Sequence, residues 1–258
     1  MNKVEDPIKN LQSERDLLVA EASSQKSHWH TVFRNASHDV KEPLRMVCTY
    51  SALLKAEKHG QLDETGQEYL KYVVEGATRL RKQTEALLRL FSIEFQEYKM
   101  ELVSMEDALR CSLIKLKPMI AERQAEIHSS SLAPAWGNSE LLEQLVTAVL
   151  ENSIKFAPES KKPRIEVKCR AENGCVVYSI TDDGEGVPQE KLKEIFEPFR
   201  RLRPRNLFHG EGLGLSYCHR IVALHRGSIW AESQANGFSV HFSLPIGEPA
   251  KAAELMLH

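Results

Sequence analysis

The stretch Val176-Val177-Tyr178-Ser179-Ile180-Thr181-Asp182-Asp183-Gly184-Glu185-Gly186-Val187-Pro188 decides the fold of the C-terminal half. β-Branched and aromatic residues run into an acidic, glycine-rich segment, which reads as a strand that ends in a tight loop. Just upstream, Asn173-Gly174 separates this strand from the strand-like run Arg164 to Cys169, and that dipeptide predicts a hairpin. Further strand-like runs, Ser228 to Glu232 and Phe238 to Leu244, alternate with helical patterns at Met105 to Gln124, Ser139 to Phe156 and Leu213 to Leu224. Hairpins interleaved with helices predict an α+β domain over 99–248, a two-layer α/β sandwich with helices on one face of a mainly antiparallel sheet.

Working toward the N-terminus, the texture becomes helical. Phe33, Ala36, Val40, Leu44, Val47, Ser51 and Leu54 step by three and four, as an amphipathic helix requires. The same seam continues backward through Val32, Trp29, Ala22, Leu18, Leu11, Ile8 and Val4, so residues 1–30 read as a coiled-coil signal helix. Lys58 to Asp63 interrupts the pattern, with Gly60 as a helix stop and Asp63 as an N-cap. A second helix passes through Leu70, Val73, Ala77, Leu80, Thr84, Leu87 and Phe91. Residues 31–98 thus form an antiparallel helical hairpin whose two apolar stripes cannot both be buried alone. Pairing with a second copy gives a four-helix bundle, so a homodimer is expected. Residues 249–258 read as a tail.

Composition narrows the partners. The formal net charge is -2, which provides no basic field for nucleic acid or anionic membrane. No apolar run approaches the ~20 residues needed to cross a bilayer, and the start, Met1 to Pro7, lacks a secretory apolar stretch. The five cysteines lack metal-ligand spacing and are expected to be reduced thiols of a cytoplasmic protein.

Four segments carry chemistry. His38 lies two residues before Val40, about 200° around the helix, and so points away from the seam. An outward histidine is commonly a plain surface residue, but Asp39 beside it can polarise the ring, and Pro43 removes a backbone hydrogen bond one turn later. Asn152 and Lys155 share the helix Leu142 to Phe156: an amide oxygen suits Mg²⁺ and an ammonium suits phosphate, although ordinary solvated residues would look the same. Asp182, at a strand end, can accept from the exocyclic amine of adenine, with Gly184 and Gly186 letting backbone approach a flat base. Gly210, Gly212 and Gly214 open a helix whose amides favour anions, after a basic segment containing Arg200, Arg201, Arg203, Arg205 and His209.

In this order, the segments resemble the sensor histidine kinases of two-component signalling, from about residue 20 to 245. Ser37-His38-Asp39-Val40-Lys41-Glu42-Pro43-Leu44-Arg45 is similar to the phosphoacceptor box, in the variant found in phytochrome-type kinases. Asn152 to Phe156 resembles the N box, Asp182 to Gly186 the first glycine box, Ile195 to Phe199 the F box and Gly210 to Leu215 the second glycine box. His225 to Ser233 resembles the usual continuation. The resemblance implies a phosphotransfer hairpin followed by an ATP-binding domain of the kind shared with gyrase and MutL. It implies that ATP phosphorylates His38, with Asp39 as general base, and that the phosphoryl group passes to an aspartate on a response-regulator receiver domain. It also implies that Asn152 holds Mg²⁺, that Lys155 and Arg201 touch phosphate and that Asp182 reads adenine. Gly184, Gly186, Phe199, Gly210, Gly212, Leu213 and Gly214 would shape the nucleotide pocket. The stretch before residue 30 is too short for a sensor domain, so the signal is expected from a partner or from a larger protein.

Two positions depart from the family pattern. Ala148 stands where a second asparagine usually lies one turn before Asn152, and a methyl group neither ligates metal nor orients phosphate. Losing such a contact costs about 1–3 kcal/mol, roughly ten- to a hundredfold in rate. Slow transfer and nucleotide binding without efficient transfer both remain open. Glu42 replaces the Thr or Asn that many relatives use to position a dephosphorylating water. A regulatory dimer with a degenerate ATP site is therefore the main alternative. An ATPase without a protein acceptor is disfavoured, because the place of its water-activating glutamate is Ala148.

Overall fold

The computed structural model describes residues 35 and 37–248, except 173, 201–211 and 235–236. The coiled-coil seam before residue 35, Asn173 of the hairpin turn, the basic segment after Arg200 and the tail lie outside the described residues. The chain divides into two compact units, Met1–Gln96 and Glu97–His258.

The first unit is a pair of helices. Helix α1 covers 37–58 and continues through Pro43. It passes into a 3₁₀ turn, His59–Gln61. Gly60 lies in that turn, and its φ is not among the left-handed ones, so the helix ends by tightening rather than by a left-handed glycine cap. Helix α2 spans Glu64–Phe95. Its start follows the sequence expectation: Asp63 is the N-cap and accepts from the Gly66 amide at 2.8 Å. Leu70, Ala77, Leu90 and Ile93 are buried in this unit, whereas Val40, Val47, Leu54, Val73 and Leu80 are exposed. Val40, Val47 and Leu54 recur every seven residues, so one face of α1 keeps an apolar stripe open to a partner.

The second unit is an α+β sandwich. Its elements are β1 (Glu101–Val103), α3 (Met105–Arg123), β2 (Glu126–Ser129), β3 (Ala135–Gly137) and α4 (Ser139–Lys155). They continue with β4 (Arg164–Glu172), β5 (Cys175–Asp182), α5 (Gly214–Leu224), β6 (Ile229–Gln234) and β7 (Gly237–Pro245). The main sheet has the order β2-β4-β5-β7-β6, and β1 pairs with β3 in a separate two-stranded sheet. The β4–β5 hairpin forms as its turn residues require, with Gly174 at φ 76°. Pairing is antiparallel except for β2 with β4, which is parallel. The short strands β1, β2 and β3 were not legible as strands. Three or four residues carry too little alternation to show a period.

Helix α4 is the core of this unit. Leu141, Leu142, Leu145, Val149, Leu150 and Ile154 are buried, and α4 packs on β4 and β5; Ile165 and Val167 of β4, Val176, Tyr178 and Ile180 of β5, and Val240, Phe242 and Leu244 of β7 are buried as well. Each such side chain contributes about 1.5–3 kcal/mol on burial. Tyr178 and Phe242 stack across β5 and β7 at 5.2 Å. Helices α3 and α5 flank α4. The C-terminal ends of α4 and β5 are thereby anchored in the core of the domain.

Candidate functional site

Asp182 ends β5, between its two partners β4 and β7. Its side chain is 8% exposed. One carboxylate oxygen accepts from the Gly184 amide at 3.0 Å. Burial pushes the carboxyl above its ordinary range, while the Ser153 hydroxyl and the Gly184 amide pull it back. The result is a fixed, desolvated acceptor, as recognition of an amine on a flat base needs. The neighbouring Asp183 serves the fold instead. It accepts from the Arg164 amide at 3.0 Å and ties off the start of β4.

The glycines around Asp182 are required by contact. A Cβ on Gly184 would fall 2.7 Å from the Asp182 carboxylate, and Gly186, at φ 72°, would drive one to 2.3 Å from the Ser233 hydroxyl. Ser233 accepts from the Val187 amide at 3.0 Å and so braces the loop. Gly237, at the head of β7, passes so close to the Asp182 carbonyl that a Cβ would lie 2.3 Å from it.

Asn152, Ser153 and Lys155 come from the last turn of α4. That turn closes on the Phe156 amide, which donates to the Asn152 carbonyl at 2.9 Å. Lys155 holds its ammonium 5.3 Å from the centre of the Phe156 ring. Arg123, from the end of α3, donates to the carbonyls of Ala157 and Pro158 at 2.9 and 3.2 Å and fixes the segment beyond.

Helix α5 begins at Gly214 with no side-chain cap and no acidic residue in its first turn. Its leading amides are open to an anion. Leu213 before it is buried, which anchors this end, and a Cβ on Gly214 would lie 3.7 Å from the Asn152 side-chain amide. The start of α5 and the end of α4 therefore share one site. Phe199 and Gly212 lie on either side of 201–211, both with positive φ (63° and 70°), and the Phe199 amide donates to the Gly212 carbonyl at 2.8 Å. Phe199 is 53% exposed. Arg201 and Gly210 fall outside the described residues.

In the first unit, His38 and Asp39 stand on α1 with side chains 74% and 78% exposed. Nδ1 of His38 lies 3.3 Å from the Asp39 carboxylate. That contact favours a proton on Nδ1 and leaves Nε2 as the free lone pair.

Three residues that shape the site were not singled out from sequence: Ser153, Ser233 and Gly237. Ser153 had a signal, being the one hydroxyl in the buried stripe Val149, Leu150, Ser153 and Ile154. Ser233 closes the stretch His225 to Ser233 but, like Gly237, acts from a strand far along the chain, so no local pattern marked its contact. Among the described residues no group of His, Cys, Asp and Glu side chains forms a metal cluster. All five cysteines are free. No described helix is long and apolar enough to cross a membrane.

Two family models match the chain in tandem. The His Kinase A (phospho-acceptor) domain matches residues 29–96. The histidine kinase-, DNA gyrase B- and HSP90-like ATPase matches residues 137–248. Cyanobacterial phytochrome A of Nostoc sp. (strain PCC 7120) is 34% identical over 213 residues, covering 82% of this chain and 28% of its own length. The chain thus spans little more than a quarter of that relative. Among solved structures, ShkA in complex with AMPPNP is 24% identical with a TM-score of 0.64, over 83% of this chain and 45% of that one. Histidine kinase ThkA in complex with the response regulator protein TrrA is 18% identical with a TM-score of 0.59, over 90% and 67%. Both share the fold. A phosphoacceptor hairpin bearing an exposed histidine, followed by an ATPase domain of this type, makes the chain a member of the sensor histidine kinase family.

Proposed function

We propose that the chain is the autophosphorylating transmitter of a two-component system, taking the γ-phosphoryl group of ATP onto His38. The observation that carries this reading is the convergence at one site of a buried carboxylate, Asp182, the end of α4 and the uncapped start of α5. The carboxylate accepts from adenine; Asn152 would supply an oxygen to Mg²⁺; Lys155 and Arg201 would neutralise phosphate. The residues fit such a ligand: Gly184 keeps the carboxylate uncovered, and Gly214 leaves room beside the Asn152 amide. Mg²⁺, when bound, neutralises charge on the β- and γ-phosphates. Gly186, Phe199, Gly210, Gly212 and Leu213 shape the pocket and its phosphate side.

Nε2 of His38 attacks the γ-phosphorus, the bond to the β–γ bridging oxygen breaks and ADP leaves. Asp39 holds the Nδ1 proton and stabilises the charge that develops on the ring. The phosphoryl group then transfers to a carboxylate of a receiver domain, a partner suggested by the ThkA–TrrA complex. The acting form is a homodimer, joined through the apolar stripe of α1 and α2, in the cytoplasm. We divide the chain into a signal helix over 1–30, the hairpin over 31–98, the catalytic domain over 99–248 and a tail over 249–258.

Labelling with Mg-ATP carrying a γ-label tests this reading. Acid-labile, base-stable label on the wild type, absent from His38→Gln, is the expected result; label retained on His38→Gln would refute the assignment. Ala148 supports a second reading, a dimer that binds nucleotide but transfers poorly. Nucleotide binding without labelling would favour it.

A further inference from the structure

Asn138 precedes α4 and makes hydrogen bonds in three directions. Its side-chain oxygen accepts from the Leu141 amide at 3.0 Å, capping α4. Its side-chain nitrogen donates to the Lys99 carbonyl at 3.1 Å, in the segment that leads to β1. Its backbone N–H donates to Nε2 of His225 at 2.9 Å. His225 is the C-cap of α5 and is buried, and its Nδ1 donates to the Ile221 carbonyl at 2.7 Å. The two ring contacts together require a neutral imidazole with its proton on Nδ1. The approach is built into the chain, because a Cβ on Gly137 would fall 2.5 Å from the ring.

This contact lies at the opposite end of the same helix pair from the nucleotide site. Helix α4 ends in Asn152 and Lys155, where α5 begins at Gly214; α5 ends at His225, where α4 begins. A shift at one end of two stiff, packed helices is felt at the other. Between the ends, the Tyr217 hydroxyl donates to the Gln144 side chain at 2.5 Å. We propose that Asn138 and His225 form a joint that sets α5 against α4, making His225 a positioning residue for nucleotide binding and tying the Lys99 segment to that placement.

The inference rests on the nucleotide-binding reading above, and the test separates the two. Mg-ATP is titrated calorimetrically into the full chain and into His225→Asn and His225→Gln, from about pH 8 down to about pH 5, with melting temperatures recorded alongside. Asparagine keeps a donor for Ile221 but cannot reach Asn138, so affinity should fall about tenfold. Glutamine places an acceptor where Nε2 stood and should bind within about threefold of wild type. Burial pushes the His225 ring below its ordinary 6.5, against the Ile221 carbonyl, which raises it. Wild-type affinity should therefore drop as pH falls through that lowered value, when Nε2 ceases to accept, and His225→Gln should lack this step. Wild-type-like binding by both variants would overturn the joint and leave the nucleotide reading standing. Equal weakening of both variants, with the pH step unchanged, would reduce His225 to a fold residue and also overturn it. A wild type that binds no Mg-ATP would overturn both.

Discussion

At the scale of single residues, the site trades stability for an acceptor. Asp182 is buried, and desolvation pushes its folded carboxyl above the ordinary value of 3.8. A carboxyl with a raised folded pKa contributes stability below its unfolded pKa and loses it as pH rises through the folded one. At neutral pH the native state therefore bears the cost of burying the charge. Asp182→Asn should melt higher than wild type at about pH 7.5 without nucleotide, and the gap should close toward about pH 3.5. The same variant should bind Mg-ATP about ten- to a hundredfold more weakly, roughly 1.4–3 kcal/mol. Equal melting at pH 7.5 would show that the carboxylate is not strained by its surroundings. Asp183 makes the contrast plain: identical in chemistry and adjacent in sequence, it accepts from the Arg164 amide and closes a strand.

At the scale of elements, α4 carries the core of the second unit, and its helix was legible for that reason. Its apolar positions recur at helical spacing, and Asn138 caps it as such a residue does. The β4–β5 hairpin was equally legible through Asn173-Gly174. The short strands were not, and neither was the bracing of the Gly186 loop by Ser233, because pairing between strands distant in sequence leaves no local mark. Ala148 is the element's one weak point. It lies one turn before Asn152 on the same face of α4, half-buried. Ala148→Asn should raise the rate of His38 labelling about tenfold or more at saturating Mg-ATP, with little change in melting temperature. An unchanged rate would mean that the missing amide is not what limits transfer.

At the scale of the whole molecule, two units with separate cores divide the work. The hairpin leaves Val40, Val47, Leu54, Val73 and Leu80 uncovered, with Val47 at 50% and Leu80 at 51% exposure. Patches of this kind mark an interface. The double variant Val47→Asp, Leu54→Asp should run as a monomer by light scattering while nucleotide affinity is retained, since every residue proposed to bind nucleotide belongs to the second unit. A dimer that survives both charges would place the interface elsewhere. The clasp between the Phe199 amide and the Gly212 carbonyl has a consequence for descent rather than for chemistry. It ties the described residues on either side of 201–211 to each other, whatever the length of chain between them. Doubling such an insert costs only about 0.6 kcal/mol in closure entropy. Selection on the length of that segment would then be weak, and selection on Arg201 and Gly210 within it would come from the nucleotide rather than from the fold.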